Sequence, residues 1–599
     1  MPSAIEDYGL IGDCETAALV SREGSIDWLC LPRFDSPACF AALLGSPENG
    51  RWLLAPRARA TVTRRYRPHT LVLETKFKTA HGQVTVIDFM PVRETTPRII
   101  RIIRGDRGTV QMRMELVLRF DYGLTVPWVT RNSNGSLLAI AGPHRVTLRT
   151  SVPVRGQDLR TVAEFSIKAG QTEYVELEYA NSFGRVYRTA TPKSWLTKTE
   201  KVWRKWCSAG RYRGPYADAL ERSLITLKAL VFGPTGGMVA APTTSLPERI
   251  GGPLNWDYRY CWLRDATFTL LGFLHAGYRE EARRWKNWLV HVSAGYPDQL
   301  QVLYGVAGER LLQESEVAWL SGFRRSRPVR IGNAARQQLQ LDIYGELADS
   351  LFQNKTRAGL NLDLQFALLE RLQKIWREPD NGIWEIRGKQ RHFTHSKVMA
   401  WVAFDRTIRQ AERFRIKAPL KQWRAVRERI HEQVCRFGFN RDLGSFVQHY
   451  GTKEVDASLL LLPLVGFLPP CDPRIVGTVR VIEQQLMRDG FVLRYRTRTK
   501  GTLMKLGEGA FLPCSFWLAD YYKLAGRHQD AENVLKRLLA IRNDLGLLAE
   551  EYDVRSRQMI GNFPQALSHV ALVNTIINLY SRRGPVHQRA GDQRKTPAC

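Results

Sequence analysis

From about residue 15 to 190 the chain alternates short apolar runs with turn residues. SIDWLCLPRF, ATVTRRYRPHTLVLETKFKT, GQVTVIDFMPV, RIIRIIRG, GSLLAIAG and EYVELEYA are examples, separated by Gly, Pro and Asn. Alternation of this kind predicts strands, and their regular spacing predicts an antiparallel β-sandwich over residues 1–190. Residues 191–212, around PKSWLTKTEKVWRKWCSAG, hold no internal breaker and read as a linking helix. The period then changes. Between 213 and 581 apolar residues recur at i, i+3, i+4 and i+7 in about a dozen segments, as helices require. YADALERSLITLKALVF, HSKVMAWVAFDRTIRQAERF and PQALSHVALVNTIINLY are three of them. No fixed-length repeat stands out, which disfavours a solenoid. Paired helices around a closed ring account for the pattern, with functional residues gathered in alternate loops.

Composition adds bounds. The chain has 599 residues, 44% hydrophobic and 24% charged, enough for several folded domains. Its 9 cysteines are scattered without C-x-x-C pairs, so neither a disulfide scaffold nor a zinc ribbon is predicted, and reduced thiols are expected. No apolar run reaches the roughly 18 residues of a spanning helix. Leu459 to Pro470 comes nearest and is interrupted by Pro463. The opening MPSAIEDYGLIGDCE carries acids where a signal peptide needs bases, so the expected compartment is cytoplasmic.

Charge is the unusual quantity: 88 Lys+Arg against 58 Asp+Glu give +30. Such a balance invites a nucleic-acid reading. The arginines are dispersed, however, and dispersed charge is ordinarily a solvated surface, so nucleic acid is disfavoured as a partner. Only residues 582–599, with Arg582, Arg583, Arg589, Arg594 and Lys595, read as a basic disordered tail.

Several familiar chemistries are missing, including phosphate loops, G-x-S-x-G elbows and H-E-x-x-H. His392 and His395 stand three apart without evident co-ligands, so no metal is predicted. What recurs is aromatic residues beside carboxylates in turn-rich loops. These are Asn255-Trp256-Asp257-Tyr258 with Trp262-Leu263-Arg264-Asp265, Gly382-Ile383-Trp384-Glu385-Ile386-Arg387, and Gly507-Glu508-Gly509-Ala510-Phe511. Sugars present C–H faces that stack on rings and hydroxyls that need fixed charged partners. Acetal cleavage needs two carboxyl groups on opposite sides of the bond.

Longer blocks carry a resemblance. Residues 5–45, 242–268, 327–346, 380–406, 456–470, 507–522 and 550–572 are, in order, similar to glycoside hydrolase family 15, the glucoamylase-like family, and most to its bacterial members, which include trehalases. The resemblance implies an N-terminal β-sandwich followed by an (α/α)6 barrel catalytic domain over 213–581. It implies Glu385 of GIWEIRG as general acid and Glu508 of GEGAF as general base, in an inverting mechanism without metal or organic cofactor. Arg264 and Asp265 match the pair that holds the terminal glucose. Trp256, Trp262 and Trp384 match aromatic positions around it, and His395 and Lys397 are expected to line the pocket. Glu316, Glu346, Glu550 and Glu551 read as supporting or surface acids, not catalytic ones.

One departure from the family is visible. The lead-in to Glu508, residues 501–507, is bulky and basic (GTLMKLG), which bears on the leaving-group side. The leading expectation is an exo-acting, inverting hydrolase that releases glucose from the non-reducing end of α-glucosides or oligosaccharides, of the glucan 1,4-α-glucosidase type. The alternative within the family is an α,α-trehalase. From another class comes a basic carbohydrate- or nucleic-acid-binding protein without hydrolysis. A transferase or phosphorylase on the same barrel is a minor possibility.

Overall fold

A computed structural model describes residues 2–184, 190–353, 362–496, 507–582 and 584–590. Its N-terminal region is an antiparallel β-sandwich whose two layers share one long strand, Arg98–Val117. The first half of that strand pairs with Gly82–Phe89 and Thr172–Asn181. The second half pairs with Arg51–Pro56 and Arg160–Lys168. The register shifts opposite Gln83 and Val84, a bulge of the sort that bends a strand from one layer into the next. At the centre Arg101 is fully buried. Its guanidinium donates to Asp88 and to the carbonyls of Trp52 and Gly24, so the charge is paired and its donors are used.

Helix α1 (Pro192–Cys207) joins the two regions. Thr191 caps it by accepting the Ser194 N–H, and Thr199, Trp203 and Cys207 fall on one buried stripe. Trp206 stacks on Tyr278 of the helical region at 4.1 Å, and Trp195 faces Arg98 of the sandwich at 5.5 Å.

Among the described residues the barrel is built of twelve helices: α2 (Ala217–Leu230), α3 (Ala266–Ala276), α4 (Arg279–Ser293), α5 (Asp342–Phe352), α6 (Leu362–Ile375), α7 (Thr394–Phe414), α8 (Leu420–Phe437), α9 (Leu461–Leu464, entered by a 3-10 turn at Ala457–Leu460), α10 (Pro473–Leu486), α11 (Leu512–Leu524), α12 (His528–Ala540) and α13 (Ala566–Tyr580). The odd-numbered members α3, α5, α7, α9, α11 and α13 touch one another in a closed inner ring, and the even-numbered members lie outside it. This is an (α/α)6 barrel. Burial follows position. In α11 every residue from Leu512 to Tyr522 is buried, whereas α8 buries only the stripe Trp423, Val426, Ile430 and Val434. A helix apolar on one stripe can only be a wall, and one buried all round must be core.

The sandwich also supports the loop entering α3. Trp28 donates to the Pro242 carbonyl at 2.7 Å. Buried Arg259 donates to Asp257, to the Tyr122 hydroxyl at 2.9 Å and to the Ser36 carbonyl at 2.9 Å.

One expectation needs correction. The tail read as disordered from 582 contains helix α14 (Pro585–Ala590), and its Arg589 is buried and ion-paired, because the carboxylates that pair it lie far away in sequence. Among the described residues Cys14, Cys30, Cys39, Cys207, Cys261, Cys435 and Cys514 are free thiols. Residues 501–506 of the unusual lead-in and 591–599 of the tail lie outside the described residues. Among the described residues no helix is long and apolar enough to cross a membrane.

Candidate active site

Five of the six loops that enter inner-ring helices line a cavity of about 710 Å³ at one end of the barrel, and α13 adds Leu567 from its first turn. Such a volume is typical of a small-molecule site. The loop into α3 contributes Trp256, Tyr258, Arg264 and Asp265 to its wall, and the loop into α7 contributes Trp384, Glu385 and Arg387. Arg494 and Tyr495 come from the loop into α11, and His449 from the loop before α9.

Glu385 is fixed with unusual care. Its backbone is held at φ +54°, a left-handed conformation that non-glycine residues adopt at a cost. Its carbonyl accepts from the Gln338 amide at 3.0 Å. Carboxylate Oε1 accepts from Trp262 Nε1 at 2.6 Å and from Arg264 Nη1 at 3.0 Å. Among the described residues no donor reaches Oε2. Arg264 also donates to the Ile383 carbonyl at 2.8 Å and lies 3.4 Å from Asp265, whose pKa is raised by burial. The neighbouring Trp384 is anchored through Nε1 to Asp456 Oδ2 at 2.8 Å. Trp256 is clamped between the guanidinium groups of Arg387, 4.0 Å from its ring centroid, and Arg330, at 4.6 Å.

Glu508 is placed differently from the expectation. Like Glu550 and Glu551 it is absent from the cavity wall, and its side chain is only 5% exposed. Oε1 accepts from Arg494 Nε at 2.8 Å and Oε2 from the Tyr495 hydroxyl at 3.2 Å. Both oxygens are therefore engaged. Arg494 is the hub of an acidic cluster, donating also to Glu551 at 2.7 Å and pairing with Glu248 at 2.8 Å. Ligand atoms of Glu248, Glu550 and Glu551 lie within 4.8 Å of one another, all buried. Three carboxylates share one guanidinium and Glu550 lies beside them, so burial and mutual repulsion keep protons on Glu248, Glu550 and Glu551. Glu248 is driven up to about 8 by burial, and Glu550 and Glu551 are raised for the same first reason.

Two oxygens of this cluster are buried without a hydrogen-bond partner, Glu551 Oε2 and Glu550 Oε1, and the cavity-lining Tyr258 adjoins Glu550. The other oxygen of Glu550, Oε2, accepts the Asn562 N–H at 3.0 Å. The Tyr258 hydroxyl lies close enough to favour its ionised form. Tyr258 lines the cavity, is influenced by both Glu550 and Glu385, and packs edge-on against Trp262 at 5.2 Å. One phenol therefore lies within electrostatic range of Glu385 and Glu550.

Trp262, His395 and Lys397 are not on the wall either. Trp262 is buried and acts through its hydrogen bond to Glu385. His395 is sealed near Arg264 and Arg589, where burial drops its pKa to about 3. Lys397 is buried and donates to the Trp376 and Glu378 carbonyls, which secures the segment before the Glu385 loop. Sequence reasoning quoted Tyr258 in its loop without giving it a role and missed Arg494, Glu248 and Asp456. None sits in a motif whose chemistry is visible without knowing its neighbours.

The comparisons with known proteins fit this arrangement. The profile of glycosyl hydrolases family 15 matches residues 214–577, and that of a trehalase-like N-terminal domain matches residues 1–157. The chain is 39% identical to the protein named trehalase in Mycolicibacterium smegmatis, over 96% of this chain and 91% of that one. It is 38% identical to the trehalase of Mycobacterium tuberculosis, over 96% and 89%, and 34% identical to that of Thermoplasma volcanium, over 95% and 92%. A bacterial glucoamylase solved with acarbose shares the fold, with a TM-score of 0.74 and 13% identity over 96% of this chain and 94% of that one. With its profile matched across the barrel and full-length relatives above 30% identity, the chain belongs to glycosyl hydrolase family 15 and is a glycoside hydrolase.

Proposed function

We propose that this protein is an α,α-trehalase that hydrolyses trehalose with inversion at one anomeric carbon. The observation that carries this reading is full-length similarity, across both regions, to three proteins named trehalase. It takes the place of the glucan 1,4-α-glucosidase expectation, whose support is a structural likeness at 13% identity, a likeness of fold.

Glu385 is the general acid. Oε1 is held by Trp262 and Arg264, so the transferable proton sits on Oε2 and passes to the glycosidic oxygen as the C–O bond breaks. Glu550 is the general base, in place of Glu508. Its unpartnered Oε1 is the free acceptor that a nucleophilic water requires, and the water's proton moves there as its oxygen bonds to the anomeric carbon. Glu508, with both oxygens occupied, holds Arg494. Inverting carboxyl pairs stand roughly 6.5–9.5 Å apart, which leaves room for that water. Arg264, Asp265, Trp256 and Trp384 hold the cleaved glucose. The pocket's chemistry calls on no metal or organic cofactor.

Inversion of a two-fold symmetric α,α-disaccharide has a distinctive outcome. The attacked glucose leaves as the β anomer and the other as the α anomer, in equal amounts. Proton NMR of the first turnovers on trehalose should show this one-to-one ratio. Glucose release from maltose and maltotriose but not from trehalose would restore the glucan reading. No release from any glycoside, with salt-sensitive DNA binding, would favour the binding-protein reading. Glu385→Gln should lower kcat on trehalose by about 10²–10⁴-fold, the usual worth of a positioned general acid. Unchanged kcat would remove Glu385 from its role.

A further inference from the structure

Helix α14 enters the barrel from the end opposite the catalytic loops and reaches every member of the inner ring. It packs against α3, α9, α11 and α13. The Ala590 carbonyl sits where a side chain at Gly466 would lie, 2.5 Å from an added Cβ, so the backbone after α9 approaches it closely. The Val586 N–H donates to Asn578 of α13 at 3.0 Å, and Gln588 meets His275 of α3 at 2.8 Å. Arg406 of α7 donates to the Arg589 carbonyl at 2.6 Å.

The Arg589 side chain carries the connection to the active site. It is 2% exposed. Nε donates to Asp349 of α5 at 2.7 Å, and Nη2 lies 3.2 Å from both oxygens of Glu346 on the same helix. Its guanidinium lies 4.4 Å from the ring centroid of Phe268, on α3. Glu346 and Phe268 both line the catalytic cavity, whereas Arg589 does not. Arg589 therefore grips two residues of the pocket floor from behind. Asp349 in turn is held by Arg406 at 2.8 Å, which ties the grip into the ring.

We propose that Arg589 is a positioning residue for hydrolysis. The C-terminal helix acts as a plug whose guanidinium sets the carboxylate of Glu346 and the ring of Phe268 against the bound sugar. The inference rests on the reading of the cavity as a glycoside-cleaving site and extends it to a segment that touches no substrate. Glu346 is then a hydroxyl acceptor kept ready by a cation behind it, since burial raises its pKa and Arg589 opposes that rise. A misplacement of about 1 Å in such a wall can cost on the order of a hundredfold in rate.

The test uses the full-length chain with Arg589→Ala and Arg589→Lys, assayed on trehalose well below each variant's melting temperature. Wild-type glucose release is measured first; its failure would sink the functional reading and say nothing of Arg589. Given wild-type activity, Arg589→Ala should lose about ten- to a hundredfold in kcat/KM, the larger share in KM. Added guanidinium ion, at non-denaturing concentrations, should restore part of the loss by filling the vacated site and should leave the wild type unchanged. Arg589→Lys keeps the stem over Phe268 and one ion pair, so it should fold and still fall short of wild type, because an ammonium cannot bridge Asp349 and Glu346 together. Should Arg589→Ala fail to fold, the Lys variant alone decides. Variants that melt earlier but show wild-type kcat and KM while folded would overturn the proposal.

Discussion

The two walls of the pocket handle charge in opposite ways. On one side a single carboxylate, Glu385, receives two N–H donors on one oxygen, and among the described residues no donor reaches the other. On the other side Glu248, Glu508, Glu550 and Glu551 crowd around Arg494, so acids outnumber the cation. The first arrangement fixes the place of a proton by geometry. The second spreads negative charge and protons over a buried network, in which each group's ionisation depends on its neighbours'. A proton donor must be aimed. A base that holds a small water molecule needs chiefly an ionisable, unoccupied oxygen, and the cluster supplies one at Glu550 Oε1.

The sharpest way to break this comparison is to neutralise the cluster one acid at a time. Glu550→Gln should reduce kcat on trehalose by about 10²–10⁴-fold, as loss of a general base does. Glu508→Gln should cost far less, roughly tenfold or below, since it alters a partner of Arg494 and not the reacting water. The reverse order, measured by steady-state glucose release, would return the base to Glu508 and overturn the assignment. Next comes the hub. Arg494→Met leaves three paired carboxylates without their cation and should lower stability by about 3–5 kcal/mol in denaturant melts. A stability change near zero would mean the acids do not depend on Arg494.

The same contrast shows what the sequence could reveal. Both fold regimes were legible because strand and helix periods differ, and the change near residue 190–213 falls where Pro192–Cys207 bridges the two regions. Glu385 was legible because the resemblance is carried by the local block DNGIWEIRG, although its donors Trp262 and Arg264 come from another loop. The opposite wall is assembled from residues near 248, 494, 508 and 550, whose approach only the ring closure brings about. Glu508 read as the base because the resemblance was carried onto GEGAF, and nothing local says that Arg494 and Tyr495 occupy it. Glu550 was passed over for the mirror reason. Arg589 looked like one more cation in a basic tail, since its partners Glu346 and Asp349 lie more than two hundred residues earlier.

The effect that is smallest at any single pH step lies in the pH dependence of stability. Glu248 titrates at about 8 in the folded protein against an ordinary value of 4.5, chiefly because burial disfavours its charge. Between those two values the unfolded chain has released the proton and the folded chain still holds it. The folded state binds more protons there, so this residue's contribution to stability falls as pH rises through the window, by at most about 1.4 kcal/mol per pH unit. Below pH 4.5 both states are protonated and the slope disappears. Glu248→Gln keeps the shape of the protonated acid and cannot ionise, so its melting curves should flatten between pH 5 and 8 relative to wild type. Because Glu550 and Glu551 are raised by the same burial, part of the slope should remain. A variant curve parallel to the wild type would show that Glu248 is already ionised against Arg494, and the cluster would then be an ordinary ion-pair network, with no proton shared among its acids.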